Sequence, residues 1–192
     1  MTTQHRRTPK LGLALAPLAL LAFALPALAD DKTQTVDAGG LTFEAPAAWK
    51  SSKPESSMRR AQLKVAPAEG DADGAELIVF AFPGGAGGVD ANVDRWRKTF
   101  KDKDGNNPKA VVTTLKGKNV EVTRVELSGH YYPTAFPGKA KEADKPNYRL
   151  VAGIVGADDV GYFLRLVGPE KTVTASKADF DKLLASLKAG GK

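Results

Sequence analysis

The stretch from Ala75 to Phe82, AELIVFAF, constrains this chain's fold more than any other. Leu77, Ile78, Val79, Phe80, Ala81 and Phe82 form an unbroken apolar run. A strand with one wet face alternates apolar and polar residues, so a continuous run predicts cover on both faces and a central place in a sheet. Pro83 ends the strand. Gly84, Gly85, Gly87 and Gly88 turn the chain, and Asp90 stands where a helix cap is expected. In the predicted helix Val93, Trp96 and Phe100 fall at i, i+3 and i+7, one inward stripe. Arg95, Arg97, Lys98 and Lys101 take the other faces, the last two at the end that favours cations.

The flanking segments read mostly as hairpins. Leu41-Thr42-Phe43 alternates as a half-buried strand, Pro46 stops it, and Trp49 is expected to fold back as an apolar plug. Met58 to Val65 presents Ala61, Leu63 and Val65 on one face. Pro67 to Gly74 is an acidic turn whose Asp71, Asp73 and Gly74 lack the ligand spacing and closing glutamate of a calcium loop. Ala110 to Leu115 and Val120 to Leu127 flank a turn as a hairpin, and so do Tyr148 to Gly156 and Tyr162 to Val167. Ser176 to Lys188 carries Phe180, Leu183, Leu184 and Leu187 at helical spacing, with Gly190-Gly191 as its stop. The sum is an α+β domain, a mostly antiparallel sheet of about six or seven strands covered by helices.

The first 29 residues are read as a signal peptide. His5, Arg6, Arg7 and Lys10 precede an apolar run, Leu11 to Leu28, and Ala27-Leu28-Ala29 offers a small-x-small cleavage site. Export to the periplasm or beyond is the expectation, with no transmembrane anchor after cleavage and residues 30–192 as a single domain of 163 residues. Loss of Arg6, Arg7 and Lys10 leaves 25 basic residues against 22 acidic ones, a net charge of +3. The charges are interspersed, unlike the clustered basic stripe of a nucleic-acid binder. With no cysteine in the chain, disulfides, thiol chemistry and cysteine-ligated zinc are excluded.

Several chemical motifs fail on inspection. The glycine corner lacks the GxxxxGK[ST] of a phosphate loop and the GxGxxG of a dinucleotide site, and Asp90 would repel phosphate. His130, the one histidine after the leader, has Ser128 nearby but no nucleophile elbow or triad context. One histidine makes a poor transition-metal site, and neither a metal nor a cofactor is expected. The candidate binding residues are His130, Tyr131, Tyr132, Phe136 and Tyr148. They bracket a long polar connection, Pro133 to Pro146, and aromatic residues are favoured at recognition surfaces.

The order of markers resembles a known family. These are Pro46 and Trp49 after an early strand, a central strand, Gly-Gly before Asn92-x-x-Arg95-Trp96 and Phe100, then Tyr162-Phe163-x-x-Leu166-x-Gly168-Pro169 before a helix with Phe180 and Leu183-Leu184. This pattern is similar to uncharacterised exported bacterial proteins of planctomycete type, whose fold resembles the Mog1/PsbP-like α/β/α sandwich. Related folds serve as binding and assembly modules, a photosystem extrinsic subunit and a nuclear-transport cofactor among them. The expectation is a non-enzymatic exported binding or accessory domain whose partner is an envelope protein or small ligand, with no nucleic acid. The alternatives are a hydrolase-type enzyme using His130 and a peripheral envelope-surface protein held by Arg95, Arg97, Lys98 and Lys101.

Overall fold

In the computed structural model the described residues are Met1, 32–85, 87–133, 144–157 and 159–190. The leader after Met1 and Phe136 therefore lie outside them, as does most of the connection after Pro133.

The strands divide between two sheets. A small one is built from β1 (Thr33–Asp37), β2 (Leu41–Pro46) and a C-terminal β11 (Lys188–Ala189), in the order β1-β2-β11. The large one contains β3 (Lys50–Ser51), β4 (Arg59–Val65), β5 (Ala75–Pro83), β6 (Phe100–Lys101), β7 (Val111–Lys116), β8 (Glu121–Tyr131), β9 (Lys145–Ala157) and β10 (Val160–Pro169). Its order is β3-β4-β5-β10-β9-β8-β6, with β7 also paired to β8. The strand pairs are antiparallel. The α+β class and the antiparallel sheet are thus as expected. The strand count is higher, because among the described residues eight strands form one sheet and three form a second.

Among the described residues three helices complete the fold: α1 (Val89–Arg97), α2 (Glu170–Ala175) and α3 (Lys177–Ser186). The small sheet, α2 and α3 cover one face of the large sheet. Leu41, Phe43 and Ala45 of β2, Leu77 and Val79 of β5, Leu164 and Leu166 of β10, and Phe180, Leu183 and Leu184 of α3 form this main core with Trp49, the expected plug. The opposite face carries a smaller cluster in which Val93 and Trp96 of α1 pack with Phe100, Val125, Leu127, Leu150 and Phe163.

That asymmetry corrects the reading of the central strand. Ala75, Leu77, Val79 and Ala81 are buried, but Ile78, Phe80 and Phe82 on the other face are only half-buried. The second face is apolar because it floors a cleft, where α1 covers the sheet incompletely.

The elements around the glycine corner also differ in detail. Gly84, Gly85 and Gly87 all have positive φ, 74°, 76° and 82°, which a side chain would strain. The helix cap is Gly88, without a side-chain bond, and Asp90 lies inside the first turn, where its charge still suits the helix dipole. The helix stops before Phe100. Thr99 Oγ1 donates to the Trp96 carbonyl at 2.7 Å, and Phe100 leaves to pair with Tyr131 on β8. Phe100 is buried as the stripe predicts, but on a strand.

At the C-terminus, β10 runs through to Pro169 and two helices follow where one was expected. The stop is a strand: Leu187 is buried, and Lys188 and Ala189 pair with β2. The acidic turn has a structural task. Asp71 Oδ2 accepts from the backbone N–H of Thr172 at 2.9 Å and from its hydroxyl at 2.7 Å, capping α2 across the fold.

Candidate functional site

The half-covered face of the large sheet carries a cleft of about 880 Å³. Ile78 and Phe80 of β5, Arg165 and Val167 of β10, Tyr148 of β9 and Tyr131 of β8 form its floor and far wall, and Arg95 and Trp96 of α1 close the near side. Arg59 and Lys64 of β4 flank it. A volume of this order suits a small organic ligand.

Strand register builds the site. Arg165 stands opposite Ile78 on β5 and opposite Ala152 on β9, so it emerges in the middle of the sheet between apolar neighbours. Alternation along β10 buries Leu164 and Leu166 in the main core and turns Arg165 to the cleft. Its guanidinium carbon lies 5.8 Å from the centroid of the Trp96 ring, within cation–π range. Trp96 is held in turn by an edge contact with Phe163, their centroids 6.3 Å apart.

The electrostatics at Arg165 are unusual for an arginine. Its Nε is shielded from solvent and has no hydrogen-bond partner. Among the described residues the groups that act on its charge are Tyr131, Arg95 and Arg59, with no carboxylate. Its pKa lies below the ordinary arginine value, first because burial penalises the cation. A hydrogen bond to Tyr131 and its charge interaction with Tyr131 oppose the shift, and Arg95 and Arg59 add to it.

The neighbouring cations differ. Arg59 is held by Gln62 Oε1 at 2.9 Å and Glu55 at 3.3 Å. Arg95 is exposed and hydrogen-bonds Asn92 Oδ1. Lys145 pairs with Asp73 at 3.2 Å. Six basic residues line the cleft against two acidic ones, Asp73 and Glu76, and Glu76 accepts from buried Gln62 at 2.6 Å.

The aromatic patch expected from sequence is divided by strand alternation. Tyr131 and Tyr148 do meet, their rings stacked with centroids 6.0 Å apart, and both line the cleft. His130 and Tyr132 stack on each other at 4.6 Å, and neither lines it. Phe136 lies outside the described residues. The His130 Nε2 is buried without a hydrogen-bond partner, and no carboxylate among the described residues orients the ring. No group of three or more histidine, cysteine, aspartate or glutamate side chains among the described residues is placed to hold a metal ion. On α1, Arg97 donates to the Pro108 carbonyl at 2.8 Å and pairs with Asp94, so its charge is engaged locally.

Arg165 and Arg59 were not foreseen as site residues. The signal available was an arginine inside the apolar strand YFLRLV, a charge placed where burial on both sides is expected.

Compared with protein-family models and with curated proteins, the sequence finds no match. Among solved structures, the solution structure of cyanobacterial PsbP (CyanoP) from Synechocystis aligns with 88% of this chain and 99% of its own, at a TM-score of 0.50 and 13% identity. The fold is PsbP-like. A protein of unknown function from Pseudomonas aeruginosa aligns with 83% of this chain and 99% of its own, at a TM-score of 0.48 and 10% identity. A Bacteroides thetaiotaomicron protein aligns with 80% of this chain at a TM-score of 0.46 and 12% identity, and this chain spans only 46% of its length. In this PsbP-like fold no helix among the described residues is long and apolar enough to cross a membrane.

Proposed function

We propose that this chain is a non-enzymatic binding or accessory domain, exported through its N-terminal signal and cleaved after Ala29, that holds a ligand in the cleft beside α1. It is read as a protein of the planctomycete exported type, acting in the periplasm or outside the cell on an envelope protein or small ligand. The observation that carries the reading is Arg165, a half-buried cation with a shielded Nε that faces a roomy aromatic cleft and on whose charge no carboxylate among the described residues acts. A charge in that position costs several kcal/mol unless something compensates it, and an incoming anion would do so. Support also comes from the cleft walls, four aromatic side chains among them, a composition favoured at recognition sites. Of His130, Tyr131, Tyr132, Phe136 and Tyr148, the residues expected at the sheet edge beside the 133–146 connection, Tyr131 and Tyr148 line this cleft.

Two measurements test the proposal. N-terminal sequencing of the protein recovered from a periplasmic fraction is expected to begin at Asp30; an intact leader in the cytoplasm would overturn export. Screening a fragment library by amide chemical shifts is expected to give hits clustered on Ile78, Phe80, Trp96, Tyr131 and Arg165. Hits confined to other surfaces would remove the cleft as the site.

A further inference from the structure

Resting on the cleft as binding site, we propose that its ligand is an aromatic monocarboxylate, the carboxylate bound side-on to Arg165 and the ring system lying against Trp96, Phe80 and Tyr131. Three observations narrow the chemistry.

The first is the count of uncompensated charge. Arg59 and Lys145 each already have a carboxylate, and Lys50 donates to the Ala47 carbonyl at 3.3 Å. Lys64 and Arg95 are exposed at the margins, where water screens them. Among the cations one shielded charge therefore remains, at Arg165. Glu76 also lines the cleft, but it is bound to neutral Gln62 and does not act on Arg165, so one incoming negative charge neutralises the arginine. A phosphate dianion would carry a second charge into the apolar wall.

The second is an unsatisfied donor. Arg165 Nε has no hydrogen-bond partner and is shielded from solvent, so a ligand oxygen reaches it with a turn of the side chain toward the cleft. Nε–H and the adjacent Nη–H of a guanidinium point in parallel, a fork whose spacing matches the two oxygens of a carboxylate. A neutral amide offers that fork a single acceptor and no charge.

The third is the wall. Phe80, Trp96, Tyr131 and Tyr148 supply the largest apolar side chains of the lining, beside smaller aliphatic ones such as Ile78, Val65 and Val167. Ring-on-ring contacts of offset or edge type favour an aromatic body over a flexible alkyl chain, which also loses more freedom on binding. Because Trp96 touches both the cation and the cleft, the ligand's charge and its ring bind side by side, not at opposite ends.

The test uses the full chain with four probes: 2-naphthoate, 2-naphthamide, 2-naphthyl phosphate and octanoate. Affinity is read by calorimetry and location by the Trp96 indole N–H resonance. Naphthoate is expected to bind saturably, to shift that resonance, and to bind at least about tenfold more tightly than the amide. The phosphate and octanoate are expected to bind more weakly than naphthoate. In Arg165→Met the preference for acid over amide is expected to vanish, while Arg165→Lys, which keeps the charge, retains part of it. Equal binding of acid and amide at the Trp96 resonance would overturn the carboxylate and leave the cleft standing. Tighter phosphate or octanoate would overturn the monoanion or the aromatic body respectively. An acid preference that survives in Arg165→Met would remove Arg165 from the site. No shift of the Trp96 resonance with any probe would overturn the cleft reading itself.

Discussion

Arg165 projects from the middle of an eight-stranded sheet with its guanidinium carbon 5.8 Å from the Trp96 ring centroid and its Nε shielded from water. A cation–π contact returns about 0.5–2 kcal/mol, less than the several kcal/mol that desolvating an uncompensated ion costs. The hydrogen bond to Tyr131 offsets a further part, and with no carboxylate acting on it among the described residues Arg165 carries a net cost to stability.

Arg165→Met is accordingly expected to stabilise the protein by about 1–3 kcal/mol, since an apolar side chain of similar length fills the same space without the charge. Thermal unfolding should show a rise of about 2–4 °C per kcal/mol gained. A fall in melting temperature would mean that Arg165 serves the fold.

Glu126 links the large sheet to α3. Its carboxylate accepts from Lys177 Nζ at 2.8 Å and pairs with buried Arg124, which also binds Asp181 at 2.6 Å. Burial alone would raise the Glu126 pKa, but the hydrogen bonds from Lys177 and Arg124 outweigh it, and the pKa lies below the ordinary 4.5. A carboxylate with a depressed folded-state pKa stabilises the protein above its unfolded pKa, and that contribution is lost as pH falls through the folded value. Glu126→Gln should cost about 1–3 kcal/mol at pH 7. It should also flatten the part of the stability–pH curve below about pH 4.5, measured by urea titration at successive pH values. A variant curve parallel to wild type would refute this.

Asp71→Ala removes a helix cap supplied from a distant turn. Thr172 then loses the acceptor for its N–H and its hydroxyl, which itself accepts from the Ala68 N–H at 2.9 Å. The expected loss is about 0.5–2 kcal/mol, read as a lower urea midpoint with unchanged slope. Asp71→Asn, which retains one acceptor oxygen, should recover part of it.

Gly168→Ala tests the fit of β10 against β5. A Cβ at that position would lie 2.5 Å from the Ala75 Cβ and 2.6 Å from its Cα. Backbone cannot rotate away as a side-chain tip can, so the strands must separate. A destabilisation of roughly 1–3 kcal/mol is expected by the overpacking rule, visible in the thermal midpoint. A wild-type midpoint would show that the strands already have that slack.

Local periodicity set much of the fold. The apolar run of β5, the alternation in β8 and β10 and the stripe of Phe180, Leu183 and Leu184 each specify an element through the geometry of one strand or helix, without reference to its neighbours. The division into two sheets was not legible, because Leu41 to Pro46 buries Leu41, Phe43 and Ala45 in the same pattern whichever sheet it joins. The site was half legible. Tyr131 and Tyr148 stood out as aromatic residues beside a long connection, but adjacency in sequence also brought in His130 and Tyr132, which alternation along the strand places out of the cleft. Arg165 could be read only as a charge in an apolar strand. Its meaning depends on long-range pairing that sets it between Ile78 and Ala152, and on the incomplete cover of α1 over Phe80. A sequence shows which side chains a strand turns to one face. What that face meets, a core or an open cleft, is decided by the layers packed against it, and those depend on contacts between residues far apart in the chain.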